Sequence, residues 1–194
     1  LMGNVLSAGL GQAPARQAAL GAGLPTSTPC TTISKVCGSG MKSVMLAFDQ
    51  IKSGSIDVAV AGGMESMSQA PYLLPAARSG QRLGHGEMLD HMFYDGLQNA
   101  YDGKLMGCFA DANASEDGIS RDQMDDYAIE SLRRAKHSID NGYFNAEIAP
   151  VTVKTRKAET IIDTDEQPPK TKPEKIPTLR PAFAKDGLVT AANA

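Results

Sequence analysis

Cys37 is the residue of this sequence best placed for covalent chemistry, because the pattern around it predicts a tight turn between a strand and a helix. The β-branched and apolar run over residues 31–36 is typical of a strand, and apolar residues recur at helical spacing after Cys37. The first N–H groups of a helix favour negative charge, so they would stabilise a thiolate and make it a better nucleophile. Gly38 and Gly40 allow such a turn and the close approach of a substrate carbonyl to backbone donors. From position alone, a buried cysteine acting as a small apolar side chain is an equally good interpretation.

The elements on either side of Cys37 predict an α/β core. Residues 13–20 are Ala-rich and typical of a short helix, and the helix after Cys37 ends at Ser53-Gly54. Residues 56–61 form a nearly continuous apolar strand. Strands of this kind that alternate with helices indicate a parallel or mixed sheet covered by helices. The helix after Cys37 is recognised by its apolar stripe: Met41, Val44, Met45, Phe48 and Ile51.

After residue 63 the hydrophobic periodicity weakens, which indicates an insertion into the α/β core. Residues 64–118 are weakly periodic, which predicts short helices and loops. Ser120 and Gln123 have the spacing of a capping box and start the most clearly amphipathic helix of the sequence. Residues 151–154 predict a short strand, and prolines interrupt residues 163–181, which predicts a loop.

Composition excludes several classes of protein. The formal net charge of −3 provides no basic field for nucleic acid or for an anionic membrane surface, and no apolar run is long enough to span a bilayer. The three cysteines form no CxxC pair, which argues against a disulfide framework and against a zinc site. We therefore expect a protein of a reducing compartment such as the cytoplasm, without a metal and without nucleic-acid or membrane partners. Because the sequence begins within an apolar pattern, we also expect it to be a fragment, which leaves an organellar location open.

Several runs resemble one family. The run from Ile33 to Val44, which contains Cys37-Gly38-Ser39-Gly40, resembles the acyl-enzyme motif of thiolases, the family of acetyl-CoA acetyltransferases and 3-ketoacyl-CoA thiolases. The run from Gly62 to Ser68 is similar to the second recurring motif of that family, and the run from Gly11 to Ala18 resembles a helix of its N-terminal domain. The segments 179–183 and 189–194 resemble the end of its loop domain. Because these matches occur in order along the whole chain, the sequence is identified as a member of the thiolase family.

The resemblance implies a thiolase-like α/β fold, with a partial N-terminal core sheet, covering helices and an inserted loop domain. Residues 1–66 would belong to the core domain that carries the nucleophile, and residues 67–194 would form the loop domain over the coenzyme A site. The family's second half supplies a histidine that activates the nucleophile, a second cysteine and an asparagine. His85, His91 and His137 match none of these. We therefore expect this chain to be inactive by itself.

The implied activity is an acyl transfer of fatty acid metabolism through a cysteine acyl-enzyme. Two acetyl-CoA molecules would give acetoacetyl-CoA and coenzyme A, or the reverse thiolysis would occur. Cys37 is the implied nucleophile, and its own N–H is an implied donor to the oxyanion. Coenzyme A thioesters are the implied substrates, and no further cofactor is implied. The sequence leaves the biosynthetic and degradative directions equally open.

The resemblance also implies which residues contact coenzyme A. Leu105 occupies a position where many members have a histidine, which leaves the acyl-chain preference open. Lys170, Lys172 and Lys175 lie where the family contacts the coenzyme phosphates, but a solvated charged loop is the favoured interpretation of these lysines. The positions that match the coenzyme A site are Leu97, Leu105, Met106, Phe183 and Ala191.

Two other functions are compatible with the motifs. A β-ketoacyl synthase has a similar fold and nucleophile, although the long insertion argues against that family. A truncated thiolase that only binds coenzyme A or joins an assembly is the second alternative. The apolar stretch 72–77 predicts a loop that packs on another subunit, so we expect a homo-oligomer, either a dimer or a tetramer.

Overall fold

A parallel sheet organises the first of two units, Leu1–Leu105 and Met106–Ala194, into which the computed structural model of residues 1–194 divides. The strands are all parallel and lie in the order β2-β1-β3. This arrangement confirms the predicted α/β class. The elements of the core are β1 (Met2–Gly3), α1 (Pro14–Gly21), β2 (Thr32–Ile33), α2 (Ser39–Lys52) and β3 (Gly62–Gly63).

Helix α2 packs on the sheet through small residues. Ser39, Ser43 and Ala47 are spaced four apart along the helix, and all three are buried. A Cβ atom added to Gly3 would lie 2.6 Å from the carbonyl carbon of Ser39, and one added to Gly63 would lie 3.3 Å from the Cα atom of Gly40. The backbones of helix and sheet are therefore too close for larger side chains.

The apolar stripe of α2 lies away from this sheet. Met41 is 74% exposed and Phe48 is 62% exposed, and Val44, Met45 and Ile51 are also exposed. The stripe identified the helix correctly but did not identify the face that contacts the sheet. The reason is that close approach to Gly3 and Gly63 selects small side chains at the contact.

The strands are shorter than the sequence predicted. Of residues 31–36, only Thr32 and Ile33 pair with β1. The predicted strand 56–61 is wrong, because the third strand of the sheet is Gly62–Gly63. The register pairs Met2 with Gly62 and leaves residues before Val60 without a strand beside them. Val58 is accordingly exposed.

Short elements follow β3 in the first unit, as predicted. His91 in this segment accepts a hydrogen bond from the Ala8 N–H at 3.3 Å, so the segment is tied to the loop after β1. The first unit therefore extends to Leu105, beyond the boundary predicted after residue 66. The assignment of residues 67–194 to a loop domain stays a prediction. The elements are a 3₁₀ turn (Met67–Gln69), β4 (Tyr72–Leu73) antiparallel to β5 (Leu89–Asp90), and a π-helical turn (Met92–Leu97).

The second unit contains the predicted capped helix. The Ser120 hydroxyl accepts from the Gln123 N–H at 3.2 Å, and the Gln123 side chain accepts from the Ser120 N–H at 2.8 Å. None of the helices of the chain is long and apolar enough to cross a membrane. The elements of this unit are α3 (Met106–Glu116), α4 (Arg121–Asp140), β6 (Val151–Lys154) antiparallel to β7 (Glu159–Ile162), α5 (Gln167–Lys170) and a 3₁₀ helix (Pro173–Thr178).

The Pro-rich segment is more regular than predicted. The expectation of a loop over residues 163–181 is wrong, since α5 and the 3₁₀ helix lie within it. Pro168 and Pro173 occupy the first turns of these two elements. Proline is tolerated there because the N–H that it lacks would have no helical partner.

Replacing Gly3 with alanine is expected to destabilise the protein. The added methyl would meet the α2 backbone at 2.6–2.7 Å, and backbone cannot move aside cheaply. We expect the free energy of unfolding to fall by about 1–3 kcal/mol, as for other overpacked sites. Urea denaturation followed by circular dichroism measures this change. Gly21→Ala is the matched control, since no atom lies within 4 Å of the Cβ that it adds, and a similar loss there would contradict the packing argument.

Candidate active site

A cavity of about 420 Å³ lies at the carboxyl ends of the three parallel strands. Its lining includes Val5 and Leu6 after β1, Cys37 after β2, and Met64 and Glu65 after β3. Ligands of open α/β sheets bind at this edge, because the loops there converge. The sheet therefore brings Cys37 into the position where a small-molecule site is expected.

A strained turn holds Cys37 at the entrance to α2. Val36, immediately before it, has a φ of 46°, a left-handed conformation that is unfavourable for a β-branched residue. Such a conformation costs on the order of 1–3 kcal/mol and persists only where the surroundings enforce it. Cys37 is exposed, and Gly38 is the N-cap of α2. The predicted sharp turn with an accessible thiol is therefore present.

The side chain of Ser39 fixes this turn. Its hydroxyl donates to the Val36 carbonyl at 2.6 Å and accepts from the Lys35 N–H at 2.8 Å. The Ser39 N–H donates to the same Val36 carbonyl at 3.1 Å. Because the Val36 carbonyl belongs to the peptide before Cys37, these bonds set the orientation of the Cys37 backbone. The Cys37 N–H itself makes no hydrogen bond within the chain, so it is available to a ligand.

A single carboxylate fixes the part of the cavity wall that follows β1. Glu65 accepts from the N–H groups of Val5 and Leu6 at 2.9 Å each, and from the Asn4 side chain at 3.0 Å. Both Val5 and Leu6 line the cavity. With its oxygens occupied by three donors, Glu65 orders this wall of the cavity.

No histidine lines the cavity. Its titratable side chains are Cys37 and Glu65. His91 is only 4% exposed and its ring nitrogens contact the Ala8 N–H and the Asp95 carboxylate. His85 and His137 are exposed elsewhere in the two units. The chain thus holds the candidate nucleophile without an adjacent general base.

The residues predicted to contact coenzyme A fall in both units. Leu97, at the end of the π-helical turn, lines the same cavity as Cys37. Leu105 is half-buried and pairs with Gln98 in an isolated antiparallel bridge. In the second unit, Met106 begins α3, and the Phe183 ring lies against Gly107 beside it. Ala191 is exposed on the segment that follows Val189 and Thr190.

The lysines of the Pro-rich segment are all exposed. Lys170 pairs with Glu166 at 2.7 Å, while Lys172 and Lys175 form no ion pair. Exposed pairs of this kind contribute little stability. A role of these three lysines at the coenzyme phosphates stays a prediction.

A protein-family model matches this chain along its whole length. The family model described as the thiolase N-terminal domain matches residues 1–194. The chain belongs to the thiolase family. This thiolase match covers the whole chain, which favours a thiolase over the β-ketoacyl synthase alternative.

Curated relatives carry matching names. An acetyl-CoA acetyltransferase of Pseudomonas aeruginosa is 47% identical over 196 residues, which are 100% of this chain and 50% of that protein. A mitochondrial acetyl-CoA acetyltransferase of Gibberella zeae is 50% identical over 194 residues, which are 99% of this chain and 45% of that protein. The chain therefore spans about half the length of the curated relatives it matches.

A solved structure agrees with the fold of the thiolase family. The Acat5 thiolase of Ascaris suum, solved in complex with coenzyme A, superposes with a TM-score of 0.85 at 40% sequence identity. The superposition covers 97% of this chain and 47% of the Ascaris chain. The thiolase-like α/β fold inferred from the motifs is confirmed.

The sequence did not predict the polar residues that fix the turn at Cys37 and the loop after β1. Ser39 and Glu65 lie inside the two motifs that identified the family, yet nothing in their spacing indicates what they bond. Asn4 and His91 carry no signal of their own in a single sequence. Their hydrogen bonds to Met64 and Ala8 join residues that are distant in sequence.

Cys37 is expected to react with iodoacetamide faster than Cys30 and Cys108. Cys37 is exposed at the start of a helix, whereas the other two are half-buried, and the Cys30 thiol donates to the Thr28 carbonyl at 3.3 Å. Peptide mapping after brief treatment measures the three rates in one sample. Equal labelling, or faster labelling of Cys108, would contradict the assignment of Cys37 as the reactive thiol.

Proposed function

We propose that this chain is the nucleophile-bearing half of an acyltransferase of the thiolase type, which transfers acyl groups between coenzyme A thioesters. The observation that carries the proposal is the exposed thiol of Cys37, held at a strained turn in a cavity at the carboxyl edge of the sheet. Membership of the thiolase family and the names of the relatives support it.

Acylation forms the first covalent intermediate. The Cys37 thiolate attacks the thioester carbonyl carbon of an acyl-CoA, the bond from that carbon to the coenzyme sulfur breaks, and coenzyme A leaves as a thiolate that takes up a proton. The carbonyl oxygen carries negative charge in between. The Cys37 N–H, free of other hydrogen bonds and fixed by Ser39, is the donor in this chain that would stabilise that charge.

Carbon–carbon bond formation completes the turnover. A second acetyl-CoA gives the proton of its α carbon to a base that, by family resemblance, belongs to the half outside this chain, and the resulting carbanion attacks the carbonyl of the acyl group on Cys37. The carbon–sulfur bond to Cys37 breaks, which releases a 3-ketoacyl-CoA and restores the thiolate. Splitting the transfer through a thioester replaces one difficult step by two easier ones. The reverse sequence is thiolysis, and the same residues serve both directions.

Leu97 and four further residues would contact the coenzyme. The position of Leu97 in the Cys37 cavity supports this assignment for the acyl end. The coenzyme A complex of the Ascaris relative supports coenzyme A as the ligand class. The remaining residues proposed to contact coenzyme A are Leu105, Met106, Phe183 and Ala191.

A chimera tests the proposal. We define it as the Pseudomonas aeruginosa acetyl-CoA acetyltransferase in which residues 1–194 of this chain replace the matching half. By family resemblance, the unmatched half supplies the base that activates Cys37. The chimera is expected to cleave acetoacetyl-CoA in the presence of coenzyme A, measured by loss of the enolate absorbance.

Two results would contradict the proposal. A folded chimera that binds coenzyme A but cleaves no acetoacetyl-CoA would favour the coenzyme-binding module instead. A folded chimera that neither binds coenzyme A nor cleaves acetoacetyl-CoA would exclude both functions. The unaltered Pseudomonas enzyme, assayed in parallel, verifies the assay.

The assembly proposed for the protein is a homo-oligomer, either a dimer or a tetramer. Tyr72 and Leu74 are both exposed in the stretch predicted to pack on another subunit. Exposed apolar residues grouped in one loop are typical of a subunit contact. Multi-angle light scattering of the chimera is expected to give a mass above that of the monomer, and a clean monomer would contradict this expectation.

The cytoplasm is the compartment proposed for the protein. Three free cysteines support a reducing environment. The mitochondrial name of the Gibberella relative supports the organellar alternative. Immunofluorescence in the source cells distinguishes the two.

A further inference from the structure

The segment from Gly187 to Asn193 is buried at its centre, although it belongs to no strand or helix. Val189 is 1% exposed and Thr190 is 0% exposed. Buried backbone groups need hydrogen-bond partners, and here side chains accept from the N–H groups of Leu188, Val189 and Thr190. One oxygen of Asp111 accepts from the N–H groups of Leu188 and Val189, both at 2.7 Å. We call residues 187–193 the carrier segment.

Asn193 connects the carrier segment to α4. Its side-chain oxygen accepts from the Thr190 N–H at 2.7 Å. Its side-chain nitrogen donates to Asp125 at 2.7 Å and to the Leu188 carbonyl at 3.3 Å. A single amide group thus closes the loop on itself and fastens it to the helix.

Asp125 is a buried anchor for this link. It is 3% exposed, and its second oxygen accepts from the Arg121 guanidinium at 2.7 Å. Arg121 also donates to the carbonyls of Ile176 and Leu179 at 3.2 and 3.0 Å. Because both oxygens of the Asp125 carboxylate are paired, its burial is compensated, and loss of one partner would leave a buried charge unpaired.

The carrier segment exposes Ala191, whose backbone groups are free to bind a ligand. Ala191 is exposed, and neither its N–H nor its C=O makes a hydrogen bond within the chain. The Ala182 N–H donates to the Val189 carbonyl at 2.9 Å, which places the half-buried Phe183 on the neighbouring stretch. A rigid, unpaired peptide unit beside an aromatic ring suits a ligand that contains both amide and apolar groups, as the pantetheine arm of coenzyme A does.

We propose that Asp125 and Asn193 are positioning residues for coenzyme A, which act by holding the carrier segment in its binding conformation. The inference rests on the proposed function for the identity of the ligand, and on the hydrogen bonds above for the mechanism. A loop ordered before binding loses less conformational entropy when the ligand arrives. Weakening the link between these residues should therefore weaken coenzyme binding while leaving the chemistry at Cys37 intact.

Asn193→Asp in the chimera tests the link. The new carboxylate can still accept from the Thr190 N–H, but it faces the Asp125 carboxylate and loses the donor to that residue. We expect the Kd of coenzyme A in calorimetric titration, and the KM for acetoacetyl-CoA, to rise about tenfold. In the same variant kcat is expected to change by less than about twofold, because no group at the reacting atoms is altered.

A charge exchange supplies the rescue. In the double substitution Asp125→Asn with Asn193→Asp, the amide introduced at position 125 can donate to the carboxylate introduced at position 193 while its oxygen still accepts from Arg121. We expect the Kd to return to within about threefold of the parent chimera. Asn141→Asp, which makes the same chemical change on an exposed side chain, is the matched control and should leave the Kd unchanged.

Each contradicting result is distinct from failure of the proposed function. An unchanged Kd in Asn193→Asp overturns the inference, as does a folded double variant whose Kd stays about tenfold or more above that of the parent. A fall in kcat by the same factor as the rise in KM would also overturn the inference, since that pattern indicates a disturbed reaction centre. Failure of the parent chimera to bind coenzyme A overturns the inference as well. Turnover of the parent chimera tests the proposed function separately.

Discussion

Replacing Cys37 with serine in the chimera is expected to lower kcat/KM for acetoacetyl-CoA thiolysis by more than about 10³-fold. The hydroxyl stays protonated at neutral pH and is a far weaker nucleophile than a thiolate, even with the base that the other half of the chimera supplies. The substitution is nearly isosteric, and Cys37 is exposed, so the fold should be unaffected. Steady-state kinetics measures the catalytic activity, and coenzyme A titration of the same sample measures ligand binding.

The matched control for this prediction is Cys108→Ser. Cys108 lies half-buried on α3 and makes no side-chain hydrogen bond, so its replacement should leave kcat/KM within about threefold of the parent. Cys37→Ser should bind coenzyme A as the parent does. A Cys37→Ser chimera that keeps more than about a tenth of the parent activity would show that another group carries the acyl transfer.

The chain of 194 residues by itself is expected to show no thiolase turnover. Glu65, the titratable side chain that lines the cavity with Cys37, already accepts three hydrogen bonds. Missing general-base assistance costs about 10²–10⁴-fold in rate. A missing oxyanion donor costs on the order of 10²–10³-fold more. Acetoacetyl-CoA cleavage by the purified chain should therefore stay at the background rate.

The chimera and the unaltered Pseudomonas enzyme are the comparisons for this measurement. Both contain the half that the chain does not match, so both should turn over under conditions in which the chain does not. A chain whose kcat/KM lies within about tenfold of that of the chimera would contradict the expectation that the activating groups lie outside these residues.

The sequence predicted the nucleophile turn well because local chemistry determines it. A β-branched run, a cysteine followed by Gly38 and Gly40, and a helical repeat leave few conformations for Cys37, and the turn is present as expected. The capping box at Ser120 was equally predictable, since both of its hydrogen bonds join residues three apart.

The sheet and its contacts were less predictable because they depend on strands distant in sequence. The apolar run 56–61 has the composition of a strand, yet pairing with β1 begins only at Gly62. Similarly, the apolar stripe of α2 gave no sign that Ser39, Ser43 and Ala47 contact the sheet. Helix packing against two glycines depends on backbone distance, which hydrophobic periodicity does not report.

The polar residues that support the site were the least predictable. Glu65 bonds the loop after β1, and Asp125 bonds Asn193 at the far end of the chain. Acidic and amide side chains are common on surfaces, so their composition alone indicates solvent exposure. Only the folded arrangement shows that these residues are buried or engaged by several donors.

Trapping the acyl-enzyme shows directly whether Cys37 carries the acyl group. The chimera is mixed with acetoacetyl-CoA in the absence of free coenzyme A, quenched in acid, digested with trypsin and analysed by mass spectrometry. Cleavage after Lys35 and Lys42 isolates Cys37 on the peptide from Val36 to Lys42. We expect an acetyl group on that peptide, and we expect hydroxylamine or added coenzyme A to remove it. A chimera that cleaves acetoacetyl-CoA while this peptide stays unmodified, or while the acetyl group appears on the Cys108 peptide, would contradict the assignment of Cys37 as the residue that carries the acyl group.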